Sequence, residues 1–163
     1  MDNVIIRKAN PEDINDCYEV EYTCYTSDGA SKERIGKRIQ LFPEGFLVAE
    51  IRDRVVGIIN SGATNEEDIS DEEFKDMIGH DRNGKNIVIF SLAVLPEFRG
   101  NGISKMLMSQ FIKNSKEMKK ENILLLCKVG LIPYYQKYHF IYRGTSKSLH
   151  GGFSWHEMYL PLL

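Results

Sequence analysis

The run Arg99-Gly100-Asn101-Gly102-Ile103-Ser104-Lys105 sets two glycines between an almost continuously apolar stretch, Ile87 to Val94, and residues Ile103, Met106, Leu107 and Phe111 that recur at helical spacing. A turn entering a helix leaves backbone N–H groups without intrahelical acceptors, and glycines let an anion come close to them. The helix N-terminus adds a favourable field for phosphate, and Arg99 adds a full charge. Taken alone, such a Gly-x-Gly turn is equally an ordinary connection. Tyr134, Tyr135, Tyr138 and Tyr142 crowd one later segment, where packing is the plain reading. Cys17, Cys24 and Cys127 lack metal-ligand spacing, as do His80, His150 and His156, so no metal is expected. An odd number of cysteines in apolar or helical contexts points to free thiols in a reducing, cytoplasmic setting.

The surrounding pattern supplies elements to hold these residues. Val4 to Ala9 reads as an opening strand, and Asn10-Pro11-Glu12-Asp13 as an N-cap, a Pro at the first helical position and an acidic first turn. The helix it starts should reach about Tyr25. A second helix, carrying Ile35 and Ile39, should follow the Gly29 to Ser31 turn and stop at Pro43. Phe46 to Ile51 and Val55 to Ile59, joined by Arg52-Asp53-Arg54, predict an antiparallel hairpin. Ser70 and Glu73 form a capping-box signature before Phe74, Met77 and Ile78, predicting a short amphipathic helix. Ile87 to Val94 is the expected central strand, and Ile123 to Cys127 a second buried one. The unit between them reads as βαβ with a parallel pair. A short helix and two strands complete the order β-α-α-β-β-α-β-α-β-α-β-β.

With 163 residues the chain suits one domain, residues 1–163, around one core. Its 42% hydrophobic and 27% charged residues are those of a compact fold rather than a disordered chain. A formal charge of -2 and the absence of a basic stretch interleaved with aromatics argue against nucleic acid as a partner. Met1-Asp2-Asn3 does not open a leader, and no run approaches the ~20 apolar residues of a membrane span.

Arg99 to Ser104 resembles the acyl-CoA signature of the GNAT superfamily, Gln/Arg-x-x-Gly-x-Gly/Ala: Arg99 and Gly102 match, and Ser104 stands for the last small residue. A dinucleotide Rossmann fingerprint fits less well, because the glycines do not follow Gly-x-Gly-x-x-Gly. Leu125 to Phe140 and Trp155-His156-Glu157-Met158 resemble the arylalkylamine N-acetyltransferases, and weaker similarity extends over Val20 to Tyr25, Phe42-Pro43-Glu44 and Glu66-Glu67. The resemblance implies an α/β (α+β) GNAT fold: a mixed sheet of six to seven strands, splayed between the core strand and the next parallel one, with helices on both faces. It implies acetyl-CoA as co-substrate, with Gly100, Asn101, Gly102, Ile103, Ser104 and Lys105 at the pyrophosphate. Leu92, Ala93 and Val94 would line the pantetheine arm, the Leu92 N–H polarising the thioester. Tyr135 takes the general-acid position; a phenol of ordinary pKa about 10 stays protonated at neutral pH and can donate to the departing thiolate. Tyr25, Phe90 and Trp155 fall at the amine pocket, and pairing into a homodimer is a family expectation.

The likeness breaks on the amine side. The family's two catalytic histidines fall on Val88 and Phe90, and the loop after Tyr25 is short and lacks a Cys-Pro-Leu element. Glu21 and His139 are the substitute bases to weigh, each equally readable as structural, and the acidic residues from Glu66 to Asp76 could attract cationic amines. The expected function is acetyl transfer to a small primary amine. A peptide N-terminus or protein lysine is the alternative acceptor, and a non-catalytic acyl-CoA-binding module is the alternative of another class.

Overall fold

The protein is described by a computed structural model covering residues 3–163. Met1 and Asp2, which begin the stretch judged not to open a leader, lie outside the described residues. Among the described residues, seven strands and four α-helices follow the expected order, save that the helix expected between β3 and β4 is a 3-10 turn: β1 (Ile5–Lys8), α1 (Ile14–Tyr25), α2 (Lys32–Leu41), β2 (Leu47–Ile51), β3 (Arg54–Thr64), β4 (Asn86–Val94), α3 (Ile103–Glu117), β5 (Asn122–Cys127), α4 (Ile132–Gln136), β6 (Ile141–Thr145) and β7 (His156–Pro161). Strand order is β1-β2-β3-β4-β5-β7-β6, a mixed α/β sheet with helices on both faces. The described backbone divides into two compact units, residues 3–61 with Ser91–Asn114, and Gly62–Phe90 with Ser115–Leu163.

In the first unit, Asn10 caps a 3-10 turn at Pro11–Asp13 through a reciprocal capping box with Asp13, and α1 continues from it. Arg7 clamps that turn by donating to both Asp13 oxygens. Ser31 caps α2 by accepting from the Arg34 N–H. The β2–β3 hairpin turns on Arg52 and Asp53, both at positive φ. Helix α3 buries Ile103, Leu107, Met108 and Phe111, whereas Met106, expected in the stripe, lies at the edge of that arc and is exposed. Gly57 lets α3 come close to the sheet: a Cβ there would stand 3.2 Å from Leu107 Cδ1 and 3.3 Å from the Ala93 carbonyl oxygen.

In the second unit, β4 pairs with β5 in parallel from Asn86↔Asn122 to Ile89↔Leu125, while β5 pairs with β7 through Cys127↔His156. The expected amphipathic helix after Ser70 is a five-residue 3-10 turn, Glu72–Asp76, capped by Asp71 rather than Ser70 and ended by Met77 at φ 67°. Asp71 prevails because its carboxylate accepts the Glu73 N–H, while Ser70 is engaged with Asp68. At the far end, the buried Lys120 ammonium donates to the carbonyls of Arg82 and Gly84, and Gly84 lies against the Thr64 backbone too closely for any Cβ.

Candidate active site

Within the first unit, β4 ends in a 3-10 turn, Pro96–Phe98, anchored by the Leu95 N–H on the Val56 carbonyl. The chain then passes through Gly100 at φ 80° and Gly102 at φ 77° before α3 begins. A Cβ at either glycine would meet nothing within 4 Å, so the left-handed turn faces open space. The Met106 N–H already bonds the Gly102 carbonyl, and the N–H groups of the turn before it have no acceptor within the helix. Asn101 donates its side-chain amide to the Phe98 and Arg99 carbonyls, which stiffens the loop. This geometry can take an anion of pyrophosphate shape. Ile103 is buried and serves as the anchor of α3, while Lys105 is exposed on its first turn. Arg99 folds back, its Nε donating to the Val94 carbonyl at 3.0 Å and its Nη2 to Cys24 Sγ at 3.4 Å.

The last two residues of α1 reach the same strand. The Tyr25 hydroxyl donates to the Leu92 carbonyl at 2.8 Å, and the Leu92 N–H donates back to the hydroxyl at 3.4 Å. Cys24 Sγ donates to the Val94 carbonyl at 3.4 Å. Side chains of α1 and Arg99 therefore occupy the backbone groups of Leu92 and Val94, while Ala93 is buried. Although 36% of Tyr25 is exposed, its hydroxyl lies against the Leu92 peptide. Burial, followed by the charge of Glu21, holds the phenol well above the ordinary tyrosine pKa. Glu21 itself is buried, with Oε2 accepting the Ala30 N–H at 2.8 Å. It closes the α1–α2 connection, which gives it a structural role. None of these bonds between α1 and β4 was legible in periodicity, because the partners stand 67 to 75 residues apart.

Within the second unit, Val88 joins Ile69, Phe74 and Leu124 in an apolar cluster, with Phe90, Leu126 and Tyr159 packed on it. Phe90 meets Phe74 edge-on at 5.3 Å, and a Cβ at Gly62 would touch both rings. Tyr135 is on α4 and only 8% exposed, stacked edge-on against Tyr134 at 5.1 Å and Phe140 at 5.8 Å. Its backbone carbonyl accepts from Tyr138 and Phe140, so the loop beyond α4 wraps around it. Trp155 donates its indole N–H to the His150 carbonyl, and its ring has Lys75 and Lys128 at 5.8 and 5.9 Å. The acidic stretch is largely engaged: Glu72 meets His150 at 2.6 Å and Lys75 at 3.4 Å, and Asp68 accepts from Ser70. The three cysteines are free, and burial pushes the Cys127 thiol up to about 11. Among the described residues, no group of three or more His, Cys, Asp or Glu side chains could hold a metal.

A glycine turn that leads from a central strand into a helix is an arrangement suited to an acyl-CoA-binding α/β domain. The chain belongs to the acetyltransferase (GNAT) family, whose model matches residues 12–140. It is 28% identical over 115 residues to an uncharacterized N-acetyltransferase of Bacillus subtilis, YkwB, over 66% of this chain and 50% of that one; the match thus spans about half of the relative. Among solved structures, the loading GNATL domain of CurA from Lyngbya majuscula shares the fold at TM-score 0.87 and 15% identity, covering 99% of this chain and 98% of that one. The GphF GNAT-like decarboxylase, solved in complex with isobutyryl-CoA, does so at TM-score 0.80 and 15% identity, covering 98% of this chain and 100% of that one.

Proposed function

We propose that the chain is an acetyl-CoA-dependent N-acetyltransferase that moves the acetyl group directly to a small primary amine with an apolar body. The turn carries this reading: Gly100 and Gly102 are both left-handed and open at the start of a 15-residue helix. The likeness to a decarboxylase solved with isobutyryl-CoA supports an acyl-CoA as the anion received there. Residues Gly100 to Lys105 hold the pyrophosphate, and Leu92 to Val94 the pantetheine arm. The amine nitrogen attacks the thioester carbon, the C–S bond breaks with its electron pair on sulfur, and Tyr135 donates the proton that makes the free thiol. Phe90, partly buried over the core cluster of Val88, Phe74 and Ile69, supports an aryl or alkyl amine entering as the free base, its proton passing to water. Three free cysteines support a reducing, cytoplasmic setting, and we read the chain as one catalytic domain.

The test is thiol release from acetyl-CoA across arylalkylamines, polyamines and short peptides, with acetyl-CoA binding measured by calorimetry. Binding with release on an aromatic amine is the expected result. Release on peptides alone would move the acceptor to a protein N-terminus or lysine, and binding without release would leave an acyl-CoA-binding module. Tyr135→Phe should lower kcat by roughly 10²-fold to 10⁴-fold, the range of a general acid. An unchanged kcat would remove Tyr135 from the mechanism.

A further inference from the structure

Tyr25 does more on this strand than wall a pocket. The Leu92 N–H donates to the Tyr25 hydroxyl at 3.4 Å and the hydroxyl donates to the Leu92 carbonyl at 2.8 Å, so two donors stand side by side, each engaged locally by the other residue. A single oxygen about 2.7–3.1 Å from each donor completes a triangle of reasonable shape, the spacing an oxyanion site requires. To reach that oxygen the phenol O–H turns about its C–O bond away from the Leu92 carbonyl, and the incoming oxygen takes the Leu92 N–H over from its long 3.4 Å bond to the phenol. The amide N–H of a pantetheine arm lying along β4 can then replace the phenol at the Leu92 carbonyl, so no backbone acceptor is stranded.

We propose that the Tyr25 hydroxyl is the second oxyanion donor of the site, converging with the Leu92 N–H on the thioester carbonyl oxygen of the bound acyl-CoA. The assignment rests on the acetyl-transfer reading above. As the amine attacks, the carbonyl π pair moves onto oxygen, which accepts from both donors; as the C–S bond breaks, the pair returns to the carbonyl. Neither donor gives up its proton.

Three observations suit this role. The α1–α2 connection lies close behind the helix end: a Cβ on Gly29 would crowd Tyr25 Cβ at 3.0 Å and Glu21 Cγ at 3.1 Å, so glycine is what allows this approach. Glu21 fixes the following connection through the Ala30 N–H, and Thr26, immediately after Tyr25, turns the chain sharply at φ 53°. The phenol also remains a donor across the working pH range, since burial and the Glu21 charge both disfavour the phenolate.

The experiment pairs kinetics with the infrared spectrum of acetyl-CoA labelled with ¹³C at the thioester carbonyl. Tyr25→Phe should lower kcat by about 10²-fold to 10³-fold, the loss typical of one oxyanion donor, with acetyl-CoA affinity within about threefold of wild type. The carbonyl stretch of bound acetyl-CoA should move back toward its value in water. Gly29→Ala, which displaces the ring but keeps its hydroxyl, should lose rate in the same direction. An unchanged kcat, or a lowered kcat with an unmoved carbonyl band, would overturn the assignment while leaving acetyl transfer intact. If the wild-type protein itself neither bound acetyl-CoA nor released thiol with any amine, the transferase reading would fall first and this assignment with it.

Discussion

Gly102→Ala separates what the turn costs in stability from what it contributes to binding. Gly102 sits at φ 77°, and the new Cβ would meet nothing within 4 Å, so the ligand-free protein would bear only the strain of a left-handed alanine. That strain is roughly 1–2 kcal/mol, and about 0.4–1 kcal/mol of it is offset because alanine restricts the unfolded chain. A net loss near 1 kcal/mol lowers Tm by about 2–4 °C in a domain of this size. Gly79 is the matched control: it lies at φ 89°, also has nothing within 4 Å, and is remote in sequence from the turn. Gly79→Ala should therefore cost the same in Tm. Only Gly102→Ala adds a methyl where a phosphate must reach the backbone N–H groups. Loss of one charge-assisted hydrogen bond, about 1.5–3 kcal/mol, corresponds to roughly tenfold to a hundredfold in Kd for acetyl-CoA. Calorimetry and thermal melts on the two variants decide the matter. Equal affinities for acetyl-CoA in the two proteins would refute the placement of the pyrophosphate, whatever the melts showed.

Other outcomes follow from the same geometry. If the amine enters as the free base, as proposed, log kcat/KM should climb with pH at unit slope from about 6 to 9; an inflection near 6.5, the ordinary histidine value, would expose a histidine base. Thiol-specific alkylation of the native protein at pH 8 should modify Cys24 first, because Cys17 and Cys127 are buried with raised thiol pKa values; rapid labelling of Cys127 would contradict its packing. His80 accepts the Ala63 N–H at Nδ1, and burial followed by the Lys120 charge lowers its pKa. The unfolded chain then binds the extra proton, so stability should fall as pH drops below about 6.5. Denaturant midpoints at pH 5.5 and 7.5 should show this loss reduced in His80→Gln; an undiminished pH dependence would place it in other groups.

The sequence was most informative where a local signal and the burial pattern agreed. Asn10-Pro11, Ser31 and Pro43 each fell at the helix boundary that their backbone chemistry specifies, and the apolar run before the glycine turn formed β4. It misled where two adjacent residues competed for one role: Ser70 and Asp71 can both cap, and only the bond of Ser70 to Asp68 decides between them. Met106 satisfied the helical period and still faced outward, because the buried arc of α3 is centred between Leu107 and Phe111. The bonds of Cys24 and Tyr25 to β4 were out of reach, since they depend on where α1 ends against a strand some 70 residues away. The partners of Glu72 and Asp68 were out of reach for the same reason: they include His150 and Lys147, which only the fold brings to them.

The departures along β4 have a common logic. Side chains alternate along a strand, so Val88, Phe90 and Leu92 share one face, and that face changes character within five residues. At Val88 and Phe90 the strand packs into an apolar cluster with Ile69, Phe74 and Leu124. At Leu92 the useful groups are backbone, and they are bonded to Tyr25. If Tyr25 and the Leu92 N–H act as proposed, this strand is better suited to stabilising charge on a carbonyl oxygen than to taking a proton from an incoming amine. Acceptors with an appreciable free-base fraction at the working pH are then favoured, and chemistry on the acyl side is less demanding of them. On that reading the groups that would choose the amine can change without disturbing the turn at Gly100 to Gly102 or the bonds at Leu92.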